Sequence, residues 1–231
     1  MKLPLFISVP HAGTRVPPEV RGFCVLRPED ILADCDEGAE SIYGLLQEHA
    51  AGFCTTDIAR SLIDLNRSPD DIGGNGVIKH RTCWNVQVFK PFPDGKLVQG
   101  LLKRYYFPYH EKLSAGAASP AVRLGVDCHT MAPVGPPVGP DPGRERPMVC
   151  ISNGDGTCPE KWISSLASSF AEVFREKVAI NTPFRGGYIC RSHAAEMPWV
   201  QIEISQTAAY PITLKRDYLL EGLHRFCHTV F

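Results

Sequence analysis

The sequence predicts an α/β fold, with a mixed, mostly parallel sheet covered by helices on both faces. Three observations predict it. Short apolar runs of strand length alternate with amphipathic stretches of helical period. Several of those runs are apolar on both faces, as strands covered on two sides are. The chain is 231 residues long, which fits one large domain more easily than two small ones.

The first apolar run, Leu3 to Val9, reads as a strand that stops at Pro10-His11-Ala12-Gly13. Residues 37–50 place Ile42, Leu45, Leu46 and His49 on one stripe and predict a helix despite Gly44. Residues 55–59 and 61–65 supply one or two extended segments before Asn66-Arg67-Ser68-Pro69, and 69–76 read as a surface loop. A helix is predicted from Gly95 to about Gly116, kinked or interrupted by Pro108. Residues 121–129 form a strand whose end delivers His129. The segment 133–147 is so dense in Pro and Gly that it must be a loop, either covering a site or disordered. A helix over 160–177, a strand over 199–204 and a helix over 215–228 complete the chain. Ligands of such sheets bind beyond the carboxyl ends of the strands, where His11, His129 and Glu203 all stand.

Composition excludes several classes. The 24 Lys and Arg nearly cancel the 25 Asp and Glu, leaving a net charge of -1 with no long basic block. Nothing therefore offers the cationic footprint of a nucleic-acid binder. Met1 to Pro10 is too short, and too interrupted by Pro4, for a signal peptide, and no run of about 18 apolar residues predicts a membrane span. The nine cysteines are odd in number and form no CxxC pair, so reduced, mostly buried thiols and a cytoplasmic location are expected. Phosphate-binding glycine loops and GxSxG are absent too.

Four groups of residues can carry chemistry. His11 sits in a strand-end loop beside Gly13, which permits close backbone approach; a surface histidine is the plainer alternative. In a strand, Asp127 and His129 point to one face, so Asp127 can accept one ring N–H while the other nitrogen binds a metal; a loop pair without metal is the alternative. Asp34, Asp36 and Glu40 are each within reach as a third ligand, and Asp36 also suits a helix N-cap. Glu203, inside the apolar strand QIEIS, is either a functional carboxylate of raised pKa or an edge residue facing solvent. Arg60, Asp64, Asn66 and Arg67 form the densest polar cluster. It suits binding of a substrate carboxylate, with a structural ion-pair network as the competing account.

These blocks resemble the N-formylglutamate amidohydrolase family, a branch of zinc hydrolases related to aspartoacylases and zinc carboxypeptidases. The resemblance runs through VPHAGTRVP (9–17), DCDEG (34–38), ARSLIDLNR (59–67), YYFPYHEKL (105–113), VDCHTM (126–131), NTPFRGGYICR (181–191) and QIEISQTAAY (201–210). The blocks occur in the family's order and span nearly the whole chain. The resemblance implies a three-layer α/β/α sandwich, one zinc ion held by His11, Asp36 and His129, and cleavage of an N-acyl amide. Asp36 is preferred to Asp34 by position. Glu203 takes the acid–base role and Arg60 polarises the carbonyl, while Asn66 and Arg67 grip the substrate; Asp64, counted with them for binding, can orient an arginine of the same cluster. His11-Ala12-Gly13 and His129-Thr130 depart from the family's HSG and HS, and Thr14 removes the aspartoacylase HxxE spacing.

Residues 1–231 are thus expected to form a single zinc-hydrolase-like domain with a Pro/Gly-rich loop at 133–147. The expected reaction is hydrolysis of an N-acyl, above all N-formyl, amide of a small acidic amino acid, without nucleic-acid or membrane partners. A metal-dependent phosphoesterase and a non-catalytic small-anion-binding domain are the alternatives.

Overall fold

The computed structural model describes residues 2–154 and 156–231. Its centre is a six-stranded sheet, β1 (Leu3–Val9), β2 (Ala50–Thr55), β3 (Leu124–Met131), β4 (Val149–Ser152), β5 (Ala179–Ile180) and β6 (Trp199–Ser205), in the order β2-β1-β3-β6-β4-β5. β2, β1, β3 and β6 pair in parallel, and β4 pairs antiparallel to β6 and parallel to β5. The sheet is mixed and mostly parallel, as expected. Helices cover both faces, which makes a three-layer α/β/α sandwich.

One face packs on α2 (Ala39–Tyr43), α3 (Leu46–His49), α6 (Glu160–Phe174) and α8 (Ile212–Val230) through Leu5, Ile7, Val126, Cys128, Ile202 and Ile204. The other packs on α4 (Gly95–Leu101), α5 (Phe107–Ala117), α7 (Tyr188–His193) and residues 58–89 through Phe6 and Trp199. On that second face β3 and β6 are not apolar throughout. Gly125 pairs with Trp199, Asp127 with Gln201 and His129 with Glu203, so the face turns polar toward the strands' carboxyl ends. That change of character positions the site.

Several boundaries differ from expectation. The strand predicted within 55–65 is instead Ala50–Thr55; residues 56–66 are a turn-rich loop tied down by single bridges, Gly13 to Ala59 and Arg15 to Ile58. Alternating polar residues there mimic a strand, but Arg60 and Asp64 are held by side-chain ion pairs rather than a ladder. The helix predicted over 37–50 is split into α2 and α3 around Gly44. Helix 160–177 ends at Phe174, because Arg175 adopts a left-handed conformation at φ 54°. β4, β5, α1 (Pro28–Asp34) and α7 were not expected.

Pro108 bends the rules without breaking its helix. It has no N–H for the carbonyl four residues back, and the preceding turn, Leu102–Tyr106, opens into a π-helix in which Phe107 N–H bonds to Leu102 O. The Pro/Gly-rich segment is ordered. Val134 bridges Glu145, Val138 N donates to Cys83 O at 3.0 Å, and Arg146 pairs with Asp141 at 2.7 Å while lying over the Phe184 ring.

Candidate metal centre and active site

The chain leaves β1 through His11 and is pressed onto the 57–59 segment at Gly13, where a Cβ would stand 2.2 Å from the Asp57 carbonyl carbon. The Asp36 backbone N–H then docks on the His11 carbonyl at 3.1 Å, bringing the DCD loop over the strand end. His129 arrives from β3. The result is a buried cluster of His11, Asp36 and His129 whose ligand-type atoms lie within 4.8 Å of one another.

Each histidine is gripped from behind by a carboxylate. His11 Nε2 lies 2.8 Å from Asp64 Oδ1, and His129 Nε2 lies 2.9 Å from Asp127 Oδ2. Each carboxylate accepts the proton of the Nε2 that it faces, which turns both Nδ1 atoms toward Asp36. His129 Nδ1 is 2.9 Å from Asp36 Oδ2, whereas His11 Nδ1, 3.6 Å away, is buried without a hydrogen-bond partner among the described residues. An orphaned buried nitrogen costs about 1–3 kcal/mol. A divalent cation held by His11, Asp36 and His129 would offset that cost, so the residues present fit a metal.

Electrostatics agree. Burial alone would raise the Asp36 pKa, but the two imidazoles outweigh it and hold the carboxylate ionised. Burial likewise disfavours the His129 cation, yet Asp127 and Asp36 prevail and raise its pKa, so positive charge is wanted here. Arg60 donates to Asp36 Oδ1 at 3.1 Å and to Asp64 Oδ2 at 3.2 Å. Asp34 is turned elsewhere, 3.0 Å from the buried Lys79 Nζ and accepting the Cys83 N–H at 2.7 Å.

Glu203 faces the same space from β6, one register pair across from His129. Burial pushes its carboxyl up to about 7, against the pull of His129, and Gln201 donates to its Oε1 at 2.7 Å. A cavity of about 440 Å³ opens in front, lined by His11, Asp36, His129, Glu203, Arg60, Asn66 and Arg67. Seven of the eight predicted site residues thus line one cavity. Asp64 does not; it is fully buried behind His11. Asn66 donates to Asp127 Oδ2 at 2.9 Å and accepts the Ile189 N–H at 2.8 Å, so much of its bonding capacity is spent within the fold.

The structure adds residues that sequence reasoning missed. Arg185 and Arg191 also line the cavity, and with Arg67 they make no ion pair among the described residues. Their RGGYICR block was visible, but nothing in it said which way the arginines point. Gln201 shares the strand face of Glu203, a spacing of two that could have found it. Gly187 is needed because a Cβ there would stand 2.2 Å from the Asn66 amide.

The sequence profile of the N-formylglutamate amidohydrolase family matches residues 3–209. The chain is 26% identical to an N-formylglutamate deformylase of Pseudomonas putida over 94% of its own length and 86% of that protein's. It is 24% identical to an N-formylglutamate deformylase of Pseudomonas aeruginosa over 89% of its length and 81% of the relative's. Its fold is shared with a crystal structure of an N-formylglutamate amidohydrolase from Ralstonia eutropha, at TM-score 0.79 and 22% identity, covering 99% of this chain and 94% of that one.

Proposed function

The chain belongs to the N-formylglutamate amidohydrolase family, and from that premise we propose that it is a zinc-dependent hydrolase of N-formyl amino acids with acidic side chains. The observation that carries the reading is the orphaned Nδ1 of His11, aimed with His129 Nδ1 and Asp36 into a cavity that Glu203 also faces. His11, Asp36 and His129 would hold the zinc, which when bound supplies a Lewis acid for the acyl carbonyl and the attacking water.

The protein's own groups do the rest. Glu203, kept near neutrality by burial and fixed by Gln201, takes the proton of the attacking water and passes it to the leaving nitrogen. The water oxygen joins the formyl carbon, the C–N bond breaks, and formate and the free amino acid leave. Arg60, anchored by Asp36 and Asp64, sets positive charge beside the carbonyl oxygen as it becomes negative. Asp64 and Asp127 fix the tautomers of the two histidines.

Substrate choice rests on charge. Arg67, Arg185 and Arg191, free of carboxylate partners among the described residues, suit the two carboxylates of a molecule such as N-formyl-L-glutamate. Asn66, tied to Asp127 and to the Ile189 N–H, anchors the chain next to Arg67. No described helix is long and apolar enough to cross a membrane. All nine cysteines are free, which supports a reducing, cytoplasmic setting.

The test is a substrate panel of N-formyl, N-acetyl and N-succinyl amino acids, acidic and neutral, together with a phosphate monoester, scored for free amine or phosphate. N-formyl-L-glutamate is expected to give the highest kcat/KM. Faster release from the monoester, or preference for neutral amides, overturns the reading.

A further inference from the structure

Behind the pocket lies a second titratable array that the hydrolytic site does not use. His110, on α5, places Nε2 3.0 Å from the Leu65 carbonyl oxygen and Nδ1 2.8 Å from Nε2 of His193. His193, the last residue of α7, places Nδ1 2.8 Å from Glu196 Oε2. Four groups are thus joined end to end by three contacts of hydrogen-bond length.

The protons of this array can be counted. The Leu65 carbonyl only accepts, so His110 Nε2 must carry a proton. The Glu196 carboxylate only accepts, so His193 Nδ1 must carry one too. Two neutral rings would then meet at 2.8 Å through two lone pairs, which repel. One more proton is required between them. The array makes all three contacts only as a cation, with a single positive charge on the imidazoles balanced by Glu196. Remove that proton and either the ring-to-ring contact or the Leu65 contact must open.

Burial, followed by the neighbouring His193 ring, pushes His110 down to about 4. The other titratable groups facing the pair are Tyr106 and Tyr109 on its own helical segment, Tyr188 on α7 and Asp127 on β3. The Trp199 ring closes the His193 side.

What the array holds is the segment that carries Asn66 and Arg67. Leu65 directly precedes them. The same helical segment also supplies Tyr106, whose ring stacks on His110 and whose hydroxyl donates to the Arg67 carbonyl at 2.8 Å. Two side chains from one helix therefore hold the carbonyls on either side of Asn66, while the Asn66 side chain reaches Asp127 and Ile189.

We propose that His110 is a positioning residue for substrate binding: by holding the Leu65 carbonyl it fixes Asn66 and Arg67 at the pocket wall, and the proton it shares with His193 maintains that hold. The role in binding rests on the function proposed above, whereas the hold itself does not.

Three variants of the full chain, with metal bound, test this. His110→Phe keeps the ring stacked on Tyr106 but makes no hydrogen bond. His110→Gln returns an amide N–H near the place of Nε2. His193→Gln gives His110 a donor that does not titrate. For N-formyl-L-glutamate, His110→Phe is expected to raise KM about tenfold or more, with kcat within about threefold and metal per chain unchanged, while His110→Gln stays near the parent. The parent's KM is expected to rise toward alkaline pH, and that of His193→Gln to stay flat. Hydrogen exchange over residues 62–70 reads the hold without turnover, faster in His110→Phe and unchanged in His110→Gln. Phe and Gln variants that behave alike, or a His110→Phe protein with parental KM and exchange, overturn the proposal. If His110→Phe does not fold, the pH comparison of the parent with His193→Gln decides. A protein that turns over no N-acyl amino acid overturns the function, and the exchange comparison still decides the hold.

Discussion

His11 Nε2 stands 2.8 Å from Asp64 Oδ1, and this contact aims the opposite nitrogen of the ring at Asp36 and His129. Asp64 is fully buried and off the cavity wall, and its side chain touches His11, Arg60 and Lys79 rather than the cavity. Asp64→Asn can present an amide N–H to Nε2 and turn the tautomer around, moving the proton to Nδ1. Zinc affinity, measured by competition with a chromophoric chelator, should fall about 10- to 100-fold. Unchanged affinity would mean that His11 is not a ligand through Nδ1.

The two aspartates of the DCD loop separate cleanly. Asp36 faces both histidines, while Asp34 neutralises Lys79 in a site where both side chains are fully buried. Asp36→Asn should lose zinc and should also lower the metal-free denaturation midpoint, because Arg60 and His129 lose a buried carboxylate. Asp34→Asn should keep zinc and lower stability, because the buried Lys79 ammonium loses the nearer of its two carboxylates and keeps only Asp64, 3.4 Å away. Reversed outcomes would exchange their assignments.

Much of this centre was legible in the sequence, and the reason is geometric. Strand ends deliver side chains to one edge of a parallel sheet, so His11, His129 and Glu203 could be placed together from strand positions alone. The spacing of two between Asp127 and His129 told which carboxylate backs which ring. What could not be read was anything set by contacts between distant loops. Residues 56–66 alternate like a strand but are held by Arg60 and Asp64 through ion pairs with partners far along the chain. β4 and β5 are too short to stand out, and α7 follows two glycines that read as a breaker. The directions of Arg185 and Arg191 depend on those same loops.

Glu203 sets an acid limit. Burial raises its carboxyl to about 7, the His129 charge works against that, and a cation held by the neighbouring cluster would lower it. The proton acceptor is the ionised form, so kcat/KM should be constant above the Glu203 pKa and fall about tenfold per pH unit below it. The limb is expected at or below pH 7. Glu203→Gln should retain zinc and lose about 100-fold or more in kcat. Loss of zinc in that variant would make Glu203 a ligand instead.

Arg67 lines the cavity and spends its Nε on the Asn75 carbonyl at 3.0 Å, leaving the fork's outer nitrogens for a ligand. Arg67→Ala should raise KM for N-formyl-L-glutamate about tenfold or more, and raise it less for N-formyl-L-glutamine, with kcat little changed. Equal effects on both substrates would place Arg67 at the carboxylate they share. No effect on either would remove it from binding.

In the proposed reaction one zinc, held by His11, Asp36 and His129, is required to cleave an N-formyl amide. Its most direct test follows formate release from N-formyl-L-glutamate by protein as purified, after dialysis against a chelator, and after zinc is returned stepwise. Activity should vanish with the metal and return linearly up to one zinc per chain, and a His129→Ala protein should neither hold the zinc nor recover. Undiminished turnover in the metal-free protein, or none at full zinc occupancy, would contradict it.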